Sequence, residues 1–137
     1  MKFFFDFDDS NNIMRCCWQG VITEDTMFEM YSEAEEVMAS RPPCRGIDDF
    51  SEVTRFEVSA ETLRTLASMP SILGPESLHV IIAPTNQVYG MARMYEILSE
   101  QSRPNLHVVR TVQEAKVLLG ITSMRFRRLA DSRSVEG

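Results

Sequence analysis

The run L-H-V-I-I-A at residues 78–83 decides the fold class, because it is apolar throughout except for His79 and stops at Pro84-Thr85-Asn86. A short apolar run of this kind marks a strand covered on both faces, as parallel strands are. The period then changes. Val88, Met91, Ala92, Tyr95 and Leu98 recur at helical spacing, so a helix starts at the Thr85-Asn86 turn. Residues 106–109 read as another strand and residues 112–119 as a short helix, closed by Gly120.

Moving toward the N-terminus, a weak strand covers Gly46 to Phe50. Ser59 caps a helix whose stripe is Leu63, Leu66 and Ala67, ending before Pro70. Thr23 caps an earlier helix, with Glu24 and Asp25 in its first turn and a stripe of Met27, Met30, Tyr31, Ala34, Val37 and Met38; Arg41-Pro42-Pro43 ends it. Phe3, Phe5 and Phe7 alternate with Phe4, Asp6 and Asp8. After the turn residues Asp9-Ser10-Asn11-Asn12, Met14, Cys16 and Trp18 alternate with Arg15, Cys17 and Gln19. Two period-2 runs joined by a polar turn predict a hairpin. The predicted order is β-β-α-β-α-β-α-β-α: an α/β fold with a mixed five-stranded sheet, right-handed parallel crossovers and an antiparallel first strand at its edge. Residues 1–120 form the expected domain, and residues 121–137 a basic C-terminal tail.

The totals agree with one domain. The chain has 137 residues, 44% apolar and 25% charged, with net charge −6. An acidic surface argues against nucleic acid and anionic membrane as partners. The tail runs the other way, with Arg125, Arg127, Arg128 and Arg133 against Asp131 and Glu136. It either docks on its own domain or a neighbouring subunit, or ends solvated. No stretch reaches the roughly 18 apolar residues of a membrane span, and Asp6 interrupts the opening phenylalanines before they make a signal h-region. Cys16, Cys17 and Cys44 make an odd count without a C-x-x-C pair. Reduced thiols in the cytoplasm, with no zinc site, are the expectation.

With the elements in place, the stretch D-F-S-E-V-T-R-F-E-V-S-A-E-T-L (residues 49–63) resembles the STAS domain, the SpoIIAA-like fold of bacterial anti-sigma-factor antagonists. A-P-T-N-Q-V-Y-G-M-A-R-M (83–94) and N-L-H-V-V-R-T-V-Q-E-A (105–115) are similar to bacterial proteins related to STAS and Sec14-like domains. The resemblance covers roughly residues 1–120. It implies a non-enzymatic switch in which a serine at the start of the second helix is phosphorylated. The family pattern there is Asp-Ser-Ser-Gly, whereas this chain has Val58-Ser59-Ala60-Glu61. Ser59 falls on the first serine, and Ala60 on the position usually modified.

Ligands and partners of open α/β sheets gather at the carboxyl ends of the parallel strands. The expected rim comprises Asp49, Ser51, Thr54, Arg55, Ser59, Thr85 and Asn86. A phosphate on Ser59 would meet the amides of a helix N-terminus, although capping alone explains a serine there. Adjacent carboxylates at Asp48 and Asp49 are costly in a central strand and point to opposite faces, so they make no acid–base pair. Asp49 is expected to accept amide hydrogen bonds in a turn beyond the strand; Asp48 has no account at this level. His79 and His107 share a phase in neighbouring strands but lack a third ligand, so no metal is assigned. The helical methionines fill core gaps or form an adaptable surface. No nucleophile set, phosphate loop or carboxylate pair assembles, and no cofactor is implied. The sequence points to a cytoplasmic regulatory or scaffold module acting by protein–protein contact, as a homodimer. The alternative is a small-molecule or lipid-binding domain of Sec14-like character.

Overall fold

The alternation at the N-terminus is realised as the predicted hairpin. In the computed structural model, which describes residues 2–129, β1 (Phe3–Asp8) runs antiparallel to β2 (Ile13–Thr23). Phe3 lies opposite Trp18, Phe5 opposite Cys16 and Phe7 opposite Met14, all six buried on one face. The chain continues through α1 (Glu24–Met38), β3 (Arg45–Glu57), α2 (Ala60–Ser68), β4 (His79–Ile82), α3 (Asn86–Leu98), β5 (Leu106–Val109), α4 (Val112–Leu119) and β6 (Arg127–Arg128). Thr23, Ser59, Thr85 and Thr111 each accept an amide hydrogen bond at a helix start, and Gly120 ends α4 in the left-handed conformation.

The strands order as β5-β4-β3-β2-β1-β6, with β2 to β5 parallel and β1 antiparallel to both neighbours. From β2 to β5 every crossover steps one strand in the same direction. Crossovers of one hand that step one way deposit their helices on one face. Accordingly Met27 and Ala34 of α1, Leu63 and Leu66 of α2, and Val88 and Ala92 of α3 share one core with Phe5, Trp18, Phe50 and Ile81. The opposite face carries a smaller core. There Ile13, Ile47, Val80 and Ile82 meet Ala115 and Leu119 of α4, extended by Ile121, Met124 and Phe126.

Two expectations are corrected. The sheet has six strands, because β6 pairs with β1 through Asp6–Arg128 and Phe7–Arg127, so the first strand is interior. The pairing was hidden in the sequence because two arginines carry no strand period. β3 also runs to Glu57 and does not end at Phe50. It pairs with β2 throughout, while β4 accompanies it only as far as Asp49. Two register shifts, between Cys17 and Gln19 and between Gly20 and Val21, disguise its period. Beyond residue 129, the arginine, aspartate and glutamate of the predicted tail lie outside the described residues.

Asp8 ties the hairpin turn to the returning chain. Its carboxylate, fully buried, accepts from the Asn11 amide at 3.1 Å, the Asn11 side chain at 2.7 Å and the Arg125 amide at 3.2 Å. Burial works to raise its pKa, but the hydrogen bonds from Asn11, Arg125 and Ser10 outweigh it and hold the carboxyl below its ordinary value. A depressed folded pKa stabilises above the unfolded value, about 3.9, and that contribution is lost as pH falls through the folded value. Asp8→Asn is therefore expected to lose ~1–3 kcal/mol at neutral pH. Urea denaturation at neutral and acid pH checks this: the gap between variant and wild type should shrink on acidification.

Candidate functional site

Asp48 is a carboxylate in a central parallel strand, and the structure supplies its partners. On the helix-covered face its register neighbours are Cys16 of β2 and Ile81 of β4, which puts Trp18 and His79 on its diagonals. The Trp18 Nε1–H donates to Asp48 Oδ1 at 2.9 Å, and His79 Nε2 meets Oδ2 at 2.6 Å. Trp18 stacks on Phe50 with centroids 5.1 Å apart, and Phe50 meets Phe56 edge-on at 5.8 Å. An aromatic wall thus fixes the indole that fixes the carboxylate. Sequence reasoning missed this triad because its members lie 30 and 31 positions apart. The available signal was three separate oddities: a core carboxylate, a core indole needing an acceptor, and a histidine in an apolar run.

The triad borders two small cavities. One of about 70 Å³ lies between the sheet and α1, α2 and α3, walled by Trp18, Tyr31, Phe50, Tyr95 and the methionines Met27, Met30 and Met91. A second of about 60 Å³ shares Met30 and Asp48 and adds Cys16 and His79. The Asp48–His79 pair beside a thiol looks like part of a nucleophile set. Burial, reinforced by the Asp48 charge, instead pushes the Cys16 thiol well above its ordinary range. Nucleophilic cysteines need the opposite shift. Burial also pushes Cys17 up to about 12 and raises Cys44.

The expected rim residues fall into three groups. Asp49 sits level with Ile82, the last residue of β4, and its Oδ1 accepts from the Ser51 amide at 2.9 Å. That bond lies within β3, at its first register shift, and not in a turn beyond a strand end. Ser51, Thr54 and Arg55 are exposed on the stretch of β3 that β4 does not reach, with Arg55 paired to Glu57 at 2.5 Å. Ser59, Thr85 and Asn86 lie at helix starts. The Gln87 side chain bridges to the amide and carbonyl of Phe56, and Arg110 donates to Asn86 and to the Pro84 carbonyl. These contacts tie α3 to the end of β3 and to the segment after β5.

Ser59 is committed to its helix. Its Oγ accepts from the Thr62 amide at 3.1 Å, while the Thr62 hydroxyl donates to Glu24, whose carboxylate also stands 3.5 Å from Ser59 Oγ. A phosphate added there would face that carboxylate. His79 and His107 do not converge: His79 pairs with Leu106 and His107 with Val80, so the shared phase is offset by one residue and the rings point to opposite faces. Among the described residues no group of three metal-ligating side chains occurs.

No family model and no curated protein matches the chain. A solved structure does match: the crystal structure of an uncharacterized protein from the DUF3478 family, with a SpoIIAA-like fold, from Shewanella loihica PV-4. The TM-score is 0.57 at 13% identity, over 85% of this chain and 91% of that one. This chain has the SpoIIAA-like fold. The mixed sheet and its four helices agree with the architecture expected from the sequence, apart from the added strand.

Asp48→Leu should cost ~2–4 kcal/mol, since it strips an acceptor from both the buried indole and His79. Part of that loss should vanish when Trp18 is already Phe, which needs no acceptor; strictly additive losses in the double-mutant cycle would refute the network. Ser59→Ala should cost about 1 kcal/mol. Ser59→Asp, ordinarily an equally good cap, should do no better until Glu24→Gln removes the opposing charge. Thermal denaturation of the four variants reads the comparison.

Proposed function

We propose that the chain is a non-enzymatic regulatory or scaffold module of the bacterial cytoplasm that acts by contact with another protein. One observation carries the reading. Of the seven large hydrophobic residues exposed among the described residues, six lie on α3 and α4: Met94, Ile97, Leu98, Val112, Val117 and Leu118. Scattered exposed hydrophobics are ordinary, whereas concentration on the two helices that flank the β5 end of the sheet, one on each face, points to an edge that is covered in use. The rim residues Asp49, Ser51, Thr54, Arg55, Ser59, Thr85 and Asn86 are proposed as a second, polar contact region at the carboxyl ends of the strands. Ser59 contributes as a cap, since Glu24 opposes a phosphate there.

The fold supports this reading by its likeness to the anti-sigma-factor antagonists. The cavities beside Asp48 support it as well: at about 70 Å³ and 60 Å³ they fall well short of the roughly 300–1,000 Å³ of drug-sized ligand pockets, while the larger groove of about 330 Å³ lies between α3 and the β5 edge, on the proposed contact surface. The ligand-binding alternative therefore gains nothing from them. No helix among the described residues is long and apolar enough to cross a membrane.

The test is affinity purification of the tagged chain beside an Ile97→Glu/Val117→Glu variant. Both side chains are exposed, at 58% and 72%, so the variant should keep its thermal stability. The reading expects a specific protein recovered with the wild type and lost with the variant. Identical recoveries, or a bare chain from gentle purification, would overturn it.

A further inference from the structure

The six-stranded sheet has two outer strands, and the chain treats them differently. On one side β6 covers β1, while β5 is left as the other edge. The backbone direction of β5 follows from its bonds to β4. The carbonyls of Asn105 and Val109 accept from the amides of His79 and Ala83, so alternate residues 105, 107 and 109 face β4. Leu106 and Val108 therefore present their backbone outward. The Leu106 amide is used by the Arg103 carbonyl at 3.2 Å, which leaves the Val108 amide and the carbonyls of both residues facing away from the sheet.

Natural edge strands are usually guarded by short length, charge, proline or a bulge. β5 is short, at four residues, and Pro104 lies just before it, but Leu106-His107-Val108-Val109 itself carries no lysine, proline or bulge. Its flank is instead built for contact. Arg93, Glu96 and Ile97 of α3, with Glu100 just past its C-cap, line a shallow groove with Leu106 and His107, and Ile97 is 58% exposed. On the other face α4 packs on the same part of the sheet through Ala115 and Leu119, with Val117 turned out at 72% exposure.

We infer that the occupant of this edge is a second copy of the chain, paired β5 to β5 antiparallel about a two-fold axis. The inference rests on the protein-contact reading and names its partner. The order of charges on α3 favours this occupant. A two-fold axis at β5 sets α3 antiparallel to α3 of the second copy, so the basic start of the stripe meets the acidic end of its counterpart. Arg93, which pairs with Glu96 on its own helix, comes opposite Glu100 of the second copy, twice by symmetry, with Ile97 between them. A free peptide strand would satisfy the backbone equally well but would bring no counterpart for Glu100. An isologous contact of this kind joins the two sheets into one and closes both exposed edges at once.

The full chain in sedimentation velocity or light scattering should be a dimer. Val108→Pro removes an amide that points away from β4, together with part of the side chain's packing on the main core, and proline is tolerated on a free edge. It should leave the circular dichroism spectrum unchanged and yield a monomer. Arg93→Glu should weaken dimerisation roughly tenfold or more, and adding Glu100→Arg should restore most of it. A wild-type chain that stays monomeric as concentration is raised, or a Val108→Pro dimer as tight as wild type, would overturn the inference. The broader reading is judged separately. If the wild type is monomeric and Ile97→Glu/Val117→Glu still loses its captured protein, only the second copy is excluded. A dimer with no captured protein would overturn the broader reading and leave the second copy as the partner of this surface.

Discussion

Three parallel crossovers that step the same way across a sheet must leave their helices on one side, and most of this structure follows from that constraint. The face under α1, α2 and α3 becomes the main core, able to bury Trp18, Phe50, Phe56 and the apolar stripes of all three helices. Among the described residues, the other face has one helix, α4, to cover it. The chain makes up the shortfall by returning through Ile121, Met124 and Phe126, and that return brings Arg127 and Arg128 alongside β1 as a sixth strand. Arg15, bonded to Asp6 through both Nε and Nη2, lies over the Phe126 ring at 3.8 Å, which fastens the returning segment to the hairpin.

Beside the main core, Asp48 shows how a half-buried carboxylate is made tolerable. Each carboxylate oxygen has a partner held in place by packing: the indole by its stack on Phe50, and the histidine by its position at the start of β4. Such a site is costly to disturb in either direction, because removing the acid orphans two groups while removing a donor orphans the acid. The arrangement reads as architecture more than chemistry. The neighbouring thiol is driven away from the reactive thiolate, and the adjoining cavities are too small for an ordinary ligand.

The sheet edges complete the picture. A one-way sheet has two ends, and only one lies near the returning C-terminal segment. The other, β5, is a short apolar strand flanked by the two helices that carry nearly all of the exposed large hydrophobics. Its open backbone, apolar flank and ordered charges occur together, and that coincidence directs attention to the edge before the polar rim. At the rim, Ser59 and Asn86 already have hydrogen-bond partners, and Thr85 caps α3.

What could be read from the chain alone was local. The period-2 run of phenylalanines, the helical stripes, the caps at Thr23, Ser59 and Thr85 and the Gly120 stop each depend on residues within a turn or two, so composition and spacing suffice. The apolar run at residues 78–83 was enough to imply a parallel sheet. Register lay beyond reach, because it is a choice between distant segments that a single sequence presents as equivalent. A shift of one residue turned His79 and His107 to opposite faces. Diagonal pairing joined Trp18, Asp48 and His79, and β3 continues through two register shifts to Glu57, past its expected end at Phe50. Only the assembled sheet decides such matters, since a strand's partner is set by what remains to be covered once the helices have taken their side.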